Sequence, residues 1–245
     1  MSSESHPLEG LWDQLQDRRA AVAVVGLGYV GLPLARCFAR RYRVIGYDRD
    51  AAHVKWLQAQ PNGDGDLRVT ADESALDDAR VLFIAVPTPV DDNLEPDLTA
   101  LKGATESVGR HLQPGSLVVY ESTVYPGCTR TFCVPILEQL SRMRCGPDFS
   151  VGYSPERINP GDREHTVETV AKVVSAVDAD SLAFLGELYG SVLRAAVQRT
   201  QTLEEAEAAK MLENTQRDTN IALINEFARY FHHMGIDTRA VLQAA

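Results

Sequence analysis

Three glycines break an apolar run, AVAVVGLGYVGLPLA over residues 21–35, before the chain turns apolar again. Gly26, Gly28 and Gly31 stand in the spacing G-x-G-x-x-G between a β-branched stretch and a helical pattern. In that setting the first glycine permits a tight turn and the second lets a pyrophosphate approach the backbone. The third lets the helix pack close to the sheet, with its N-terminal amides toward the phosphates. Taken alone, the same spacing also describes a glycine-rich turn with only a packing role. Here, however, Asp48 ends the next strand pattern, seventeen residues beyond Gly31. A carboxylate there accepts hydrogen bonds from adenine-ribose hydroxyls and repels a 2′-phosphate, which favours NAD over NADP. Neighbouring Arg49 keeps the phosphorylated cofactor open.

Lys210 and Asn214 form the second constellation, one helical turn apart and so on one face. Arg217, Ile221, Ile224 and Ala228 continue that stripe, so a polar row runs into an apolar one. Polar groups entering a packing face need partners, and a charged substrate oxygen would serve. The plainer reading is an exposed Glu207–Lys210 ion pair with Asn214 incidental. Cys128 begins a helical pattern, where thiol pKa falls; an ordinary thiol is the simpler account. His232 and His233 are adjacent, point to different sides of a helix and suit its C-terminal dipole better than a metal. Arg157 and Arg217 could meet phosphate or carboxylate, or serve structure.

The elements that must position these residues follow from periodicity. Residues 8–18 read as an amphipathic helix with Leu8, Leu11, Trp12 and Leu15 on one face. Apolar strand patterns at 21–25, 42–47, 80–86, 116–122 and 148–153 alternate with helical ones near 30–41, 50–59, 97–111 and 127–142, the third opened by Asp97 as N-cap. This predicts an α/β fold, a Rossmann-type doubly wound, mostly parallel sheet with helices on both faces. Beyond residue 155 come strands at 172–177 and 192–198, a helix at 179–189, and a long helix from Thr202 to His233, stopped by Met234-Gly235 before another starts at Asp237 or Thr238. A helix that long is expected to link domains or to build a dimer interface. The expected division is an N-terminal extension (1–20), an NAD-binding domain (21–200) and a central helical segment (201–245).

Composition narrows the partners. The chain has 245 residues, 44% of them hydrophobic, and a net charge of −10, which argues against nucleic acid or an anionic membrane as partner. The first residues lack a signal-peptide pattern and no run of about 18 apolar residues occurs, so a cytoplasmic protein is expected. Cys37, Cys128, Cys133 and Cys145 match no zinc spacing and no CxxC pair, so no metal is expected and the thiols read as reduced.

Five segments in order, GLGYVGLPLA, AVPTPVDDNLEPDL, YESTVYPGCT, YSPERINPGD and EAAKMLENTQRDTNIALINE, resemble the UDP-glucose/GDP-mannose dehydrogenase family over residues 21–245. The RINPGD and VYPGCT variants look most like the branch that oxidises UDP-N-acetylhexosamines to uronic acids. The resemblance implies oxidation of the C6 alcohol to carboxylate with two NAD, the intermediate normally being held on a cysteine. By matching position it implies that Gly26, Gly28, Tyr29, Val30, Gly31, Asp48, Arg49, Pro87, Thr88 and Thr123 line the NAD site. It also makes Thr123 the threonine that positions the hydrolytic water and Glu156 a carboxylate for acid–base steps and substrate orientation. Lys210 and Asn214 would hold the oxygen at C6 and its developing charge, the electrostatic role that matters most in a dry site.

Two departures accompany the resemblance. The segment QAQPNGDGDLRV (58–69) is shorter than is usual in the family, and the chain ends at VLQAA, before the family's GGHC nucleophile segment and UDP-binding domain. The expectation is therefore an N-terminal part that is inactive alone and forms a homodimer through its long helix. Alternatives are a non-catalytic NAD-binding dimerisation module and a UDP-glucose or UDP-ManNAc dehydrogenase of the same family. A β-hydroxyacid dehydrogenase is disfavoured by SPERINPGD and STVYPGC.

Overall fold

The computed structural model of the chain describes residues 6–60, 65–157 and 169–245. The chain opens with α1 (Leu11–Gln16) and then alternates strand and helix: β1 (Ala21–Val25), α2 (Gly31–Ala39), β2 (Val44–Tyr47), α3 (Ala51–Gln58) and β3 (Leu67–Thr70). After a 3-10 turn come β4 (Ala79–Ile84), α4 (Thr99–His111), β5 (Leu117–Tyr120), α5 (Val134–Ser141) and β6 (Ser150–Tyr153). The last elements are β7 (Lys172–Ala176), α6 (Ala179–Gly190), β8 (Val197–Arg199), α7 (Leu203–His233) and α8 (Thr238–Ala244).

The strands form one sheet in the order β3-β2-β1-β4-β5-β6-β7-β8. Every neighbouring pair is parallel except β6 with β7. Successive strand residues point to opposite faces, and both faces are covered. Val22, Val24, Val81 and Phe83 pack on one side with α1, α2, α3 and α6; Ala21, Ala23, Leu82 and Ile84 pack on the other with α4, α5 and the first turns of α7. Burial on both faces explains why the strands read as unbroken apolar runs. Each large side chain fully removed from water contributes about 1.5–3 kcal/mol.

Several expectations change at this level. Strand β3 has no counterpart in the sequence reading, because LRVT alternates too briefly to stand out. The helix expected over 127–142 splits into a π-helical turn, Thr129–Cys133, and α5. Pro135, near the start of α5, has no N–H to close an ordinary helical bond, so the preceding turn widens. Asp97 does not occupy the N-cap of α4, which is Leu98; instead its carboxylate accepts the Thr99 N–H at 2.9 Å. The strand expected over 192–198 shortens to β8. Leu11 and Leu15 of α1 are buried in the main core, and Trp12 meets the edge of Phe184 at 5.9 Å. Thr202 caps α7 in a reciprocal box with Glu205, and Asp237 caps α8. Among the described residues no helix is long and apolar enough to cross a membrane.

Candidate active site

A cavity of about 1100 Å³ opens where β1 and β4 part, at the carboxyl ends of the parallel strands. Consecutive elements run to opposite sides of β1 there, so the loops diverge and leave a crevice. Gly26, Gly28, Tyr29 and Val30 line it after β1, Asp48 and Arg49 after β2, and Pro87 and Thr88 after β4. Thr123 enters after β5, Glu156 after β6, and Lys210 and Asn214 from α7. Of the expected site residues only Gly31 stays outside the lining.

The three glycines divide their work by what a side chain would meet. A Cβ on Gly31 would stand 1.9 Å from the Gly26 carbonyl oxygen, so this glycine lets α2 press against the loop. Gly26 has φ +89° and a Cβ there would come within 2.8 Å of the Ala85 carbonyl oxygen. A Cβ on Gly28 would meet nothing within 4 Å, because it faces the open crevice. No side chain caps the start of α2. An uncapped helix start behind a glycine with open space before it fits a pyrophosphate. Asp48 accepts the Leu27 N–H at 2.9 Å and the Asp50 N–H at 3.0 Å, which ties the glycine loop to the end of β2. A carboxylate has capacity for further donors, so ribose hydroxyls are compatible with both bonds.

Sequence reading missed part of the lining. Ala100, Gly103, Ala104 and Ser107 put one narrow face of α4 against the cavity. Their spacing is the signal that could have found them: small residues one turn apart leave room beside a helix. Tyr47, His53, Glu73 and Arg110 complete that end, with Arg110 paired to Glu73 at 2.8 Å. Ser122 pins the β4 loop by accepting the Val86 N–H and donating to its carbonyl, and Thr88 donates to the Thr123 carbonyl.

At the opposite end Lys210 is only 7% exposed. Burial holds its ammonium below the usual lysine range, Glu213 pulls it up, and Arg217 pushes it down again. The exposed Glu207–Lys210 pair is overturned: Glu207 is fully buried and accepts the amide N–H groups of Gly127 and Thr129. Arg157 and Arg217 both bind Glu213, at 3.0 and 3.1 Å, which joins the loop after β6 to α7. Cys128 is buried outside the cavity, in keeping with an ordinary thiol. The RINPGD stretch from Ile158 onward and residues 61–64 of the shortened segment lie outside the described residues.

The model for the NAD-binding domain of the UDP-glucose/GDP-mannose dehydrogenase family matches residues 20–193, and that for the family's central domain matches residues 204–245. Protein CapL of Staphylococcus aureus is 47% identical over 234 residues, which cover 91% of this chain and 55% of that protein. A UDP-N-acetyl-D-glucosamine 6-dehydrogenase of Pseudomonas aeruginosa is 46% identical, with 91% of this chain and 56% of that protein covered. The solved structure of a UDP-D-ManNAc dehydrogenase from Pyrococcus horikoshii superposes with a TM-score of 0.84 at 34% identity, over 92% of this chain and 57% of the other. The chain thus spans about half the length of the curated relatives it matches. Its sheet order, its glycine cradle at the switch point and these matches agree: the chain belongs to the UDP-glucose/GDP-mannose dehydrogenase family and carries that family's NAD-binding domain.

Proposed function

We propose that the chain is the NAD-binding part of a UDP-N-acetylhexosamine 6-dehydrogenase. The observation that carries this reading is convergence: Thr123, Glu156, Lys210 and Asn214 reach the same cavity as the glycine cradle, from two loops and a helix. Relatives named for UDP-N-acetyl-D-glucosamine and for UDP-N-acetyl-D-mannosamine, both UDP-N-acetylhexosamines, match at 46% and 34% identity, which supports the substrate class.

Hydride acceptance is what bound NAD supplies, and the balance is one alcohol, one water and two NAD giving one carboxylate, two NADH and three protons. Gly26, Gly28, Tyr29, Val30, Asp48, Arg49, Pro87 and Thr88 would hold the cofactor, with Gly31 setting the helix against it. An ammonium on a largely buried side chain at the cavity wall is suited to an oxygen that gains negative charge, so Lys210 with Asn214 holds the oxygen at C6. Glu156 orients the sugar and exchanges protons at that oxygen, and Thr123 positions the water that supplies the second carboxylate oxygen.

Covalent capture of the aldehyde needs a thiol within reach of C6. Cys37, Cys128, Cys133 and Cys145 all lie outside the cavity lining. Residues 1–245 alone are therefore expected to form no NADH from UDP-N-acetylglucosamine. A chain extended through the family's nucleophile segment is expected to form two NADH per sugar. Steady formation at that ratio by residues 1–245 would overturn the reading of the site, and no turnover by the extended chain would overturn the assigned reaction.

A further inference from the structure

Behind the cavity wall lies a buried charged cluster that the roles above leave unused. Lys172 opens β7 and is 3% exposed. Its Nζ lies 2.5 Å from Glu121 Oε2, 3.4 Å from the Pro155 carbonyl oxygen and 3.5 Å from Glu156 Oε2. An ammonium has three donors, so these three acceptors fill it. Glu121, 1% exposed, accepts the Tyr189 hydroxyl on its other oxygen, and the ammonium stands 5.6 Å from the centre of the Tyr189 ring. Both oxygens of Glu121 are thus engaged by protein donors, although the residue touches the cavity. Glu156 accepts the Arg157 N–H on its other oxygen, Oε1, at 2.6 Å.

The antiparallel course of β7 creates this arrangement. Tyr153 pairs with Ser175 and Gly152 with Ala176, so β7 begins, rather than ends, beside the loop that carries Glu156. Burial works against the charge on Lys172, yet Glu121 and Glu156 outweigh it and hold the ammonium above the usual lysine range. A buried ion pair adds little stability over apolar residues of equal volume. Its value here lies in where it holds a third group.

We infer that Lys172 is the positioning residue for Glu156, fixing that carboxylate on the cavity wall while Glu121 and Tyr189 anchor the lysine. The catalytic consequence rests on the reading of Glu156 as a group that meets the substrate; the geometric clamp does not.

The test uses residues 1–245 carrying Glu121→Gln together with Lys172→Met, which removes both charges at nearly constant volume and leaves Glu156 without its ammonium partner. Carbodiimide labelling of carboxylates is followed by peptide mass spectrometry without any substrate. Labelling of Glu156 is expected to rise several-fold while that of Asp48 stays at the wild-type value. Glu121→Gln alone is expected to leave Glu156 labelling unchanged, since Lys172 still reaches it. Unchanged Glu156 labelling in the double variant, or a rise shared by Asp48, overturns the inference. Should the double variant not fold, Lys172→Met alone carries the same comparison: it removes the ammonium that reaches Glu156, and Glu156 labelling must rise. In an extended chain with turnover, the double variant is expected to lose about tenfold or more in kcat with KM little changed. A wild-type extended chain without turnover refutes the dehydrogenase reading and leaves the labelling result to decide the clamp.

Discussion

Glu207 on α7 accepts the backbone N–H of Thr129 at 2.9 Å, and its second oxygen accepts that of Gly127. One buried carboxylate therefore joins the loop after β5, which carries Thr123, to the helix that carries Lys210 three residues further on. Replacing Glu207 by alanine strands two amides, and an unsatisfied buried donor costs about 1–3 kcal/mol. Glu207→Ala is expected to lower the unfolding free energy by about 2–3 kcal/mol in urea. Glu207→Gln keeps an acceptor for one amide and should fall between the two. Wild-type stability in Glu207→Ala would remove the joint.

The glycine loop predicts two substitutions with opposite effects. Gly31→Ala places a methyl 1.9 Å from the Gly26 carbonyl oxygen, so the loop or α2 must shift. A loss of about 1–3 kcal/mol is expected from such overpacking. Gly28→Ala meets no atom within 4 Å and should leave the urea midpoint unchanged. Its methyl enters the space before the helix start, so NAD affinity by calorimetry should fall about tenfold or more. Intact NAD binding by Gly28→Ala would place the pyrophosphate elsewhere.

Asp48 serves the loop and, on this reading, the ribose. Asp48→Asn keeps an acceptor for a loop amide but loses the charge that repels a 2′-phosphate. Calorimetric titration is expected to show weaker NAD binding and a narrower gap between NAD and NADP. Equal affinity of the wild type for both cofactors, unchanged in Asp48→Asn, would end the assignment.

Lys210 makes stability depend on pH in a defined direction. Its folded-state pKa is depressed, chiefly by burial, so the folded chain binds fewer protons than the unfolded one between that value and the unfolded lysine value of about 10.4. Stability from this residue is present above the unfolded value and is lost as the pH falls through the folded one. Lys210→Met removes the dependence, so it should be more stable than wild type near neutrality, with the difference shrinking as the pH rises through the alkaline window. Parallel urea-midpoint curves for the two proteins would show that burial does not penalise the ammonium.

The long helix predicts association. Its buried residues end at Lys210, while Leu212, Ile221, Leu223, Phe227 and Tyr230 are exposed and Ile224 and Phe231 half-buried. An apolar surface of that length calls for a cover, and a second copy of the helix is the expected one. Sedimentation should show a dimer that Ile221→Asp with Phe227→Asp converts to monomer. A wild-type monomer at high concentration would overturn this.

Local order along the chain was enough to reveal the strand–helix alternation, the glycine loop, the acidic end of β2 and the shared face of Lys210 and Asn214. Those features depend on periods of two and 3.6 residues or on short turns, so they are written in neighbouring side chains. Recognition of Thr123 and Glu156 came from resemblance, because nothing in a single threonine or glutamate marks it as lining a crevice. Strand β3, the widened turn before Pro135 and the fate of Glu207 escaped, since each depends on partners brought in from elsewhere. Only the tertiary structure decided that loops after β1, β4, β5 and β6 and the face of α7 enclose one cavity. It also decided that β7 runs antiparallel and so carries Lys172 behind Glu156. Pairing direction and the meeting of distant loops are set by how whole faces bury against one another, which no local stretch of sequence encodes.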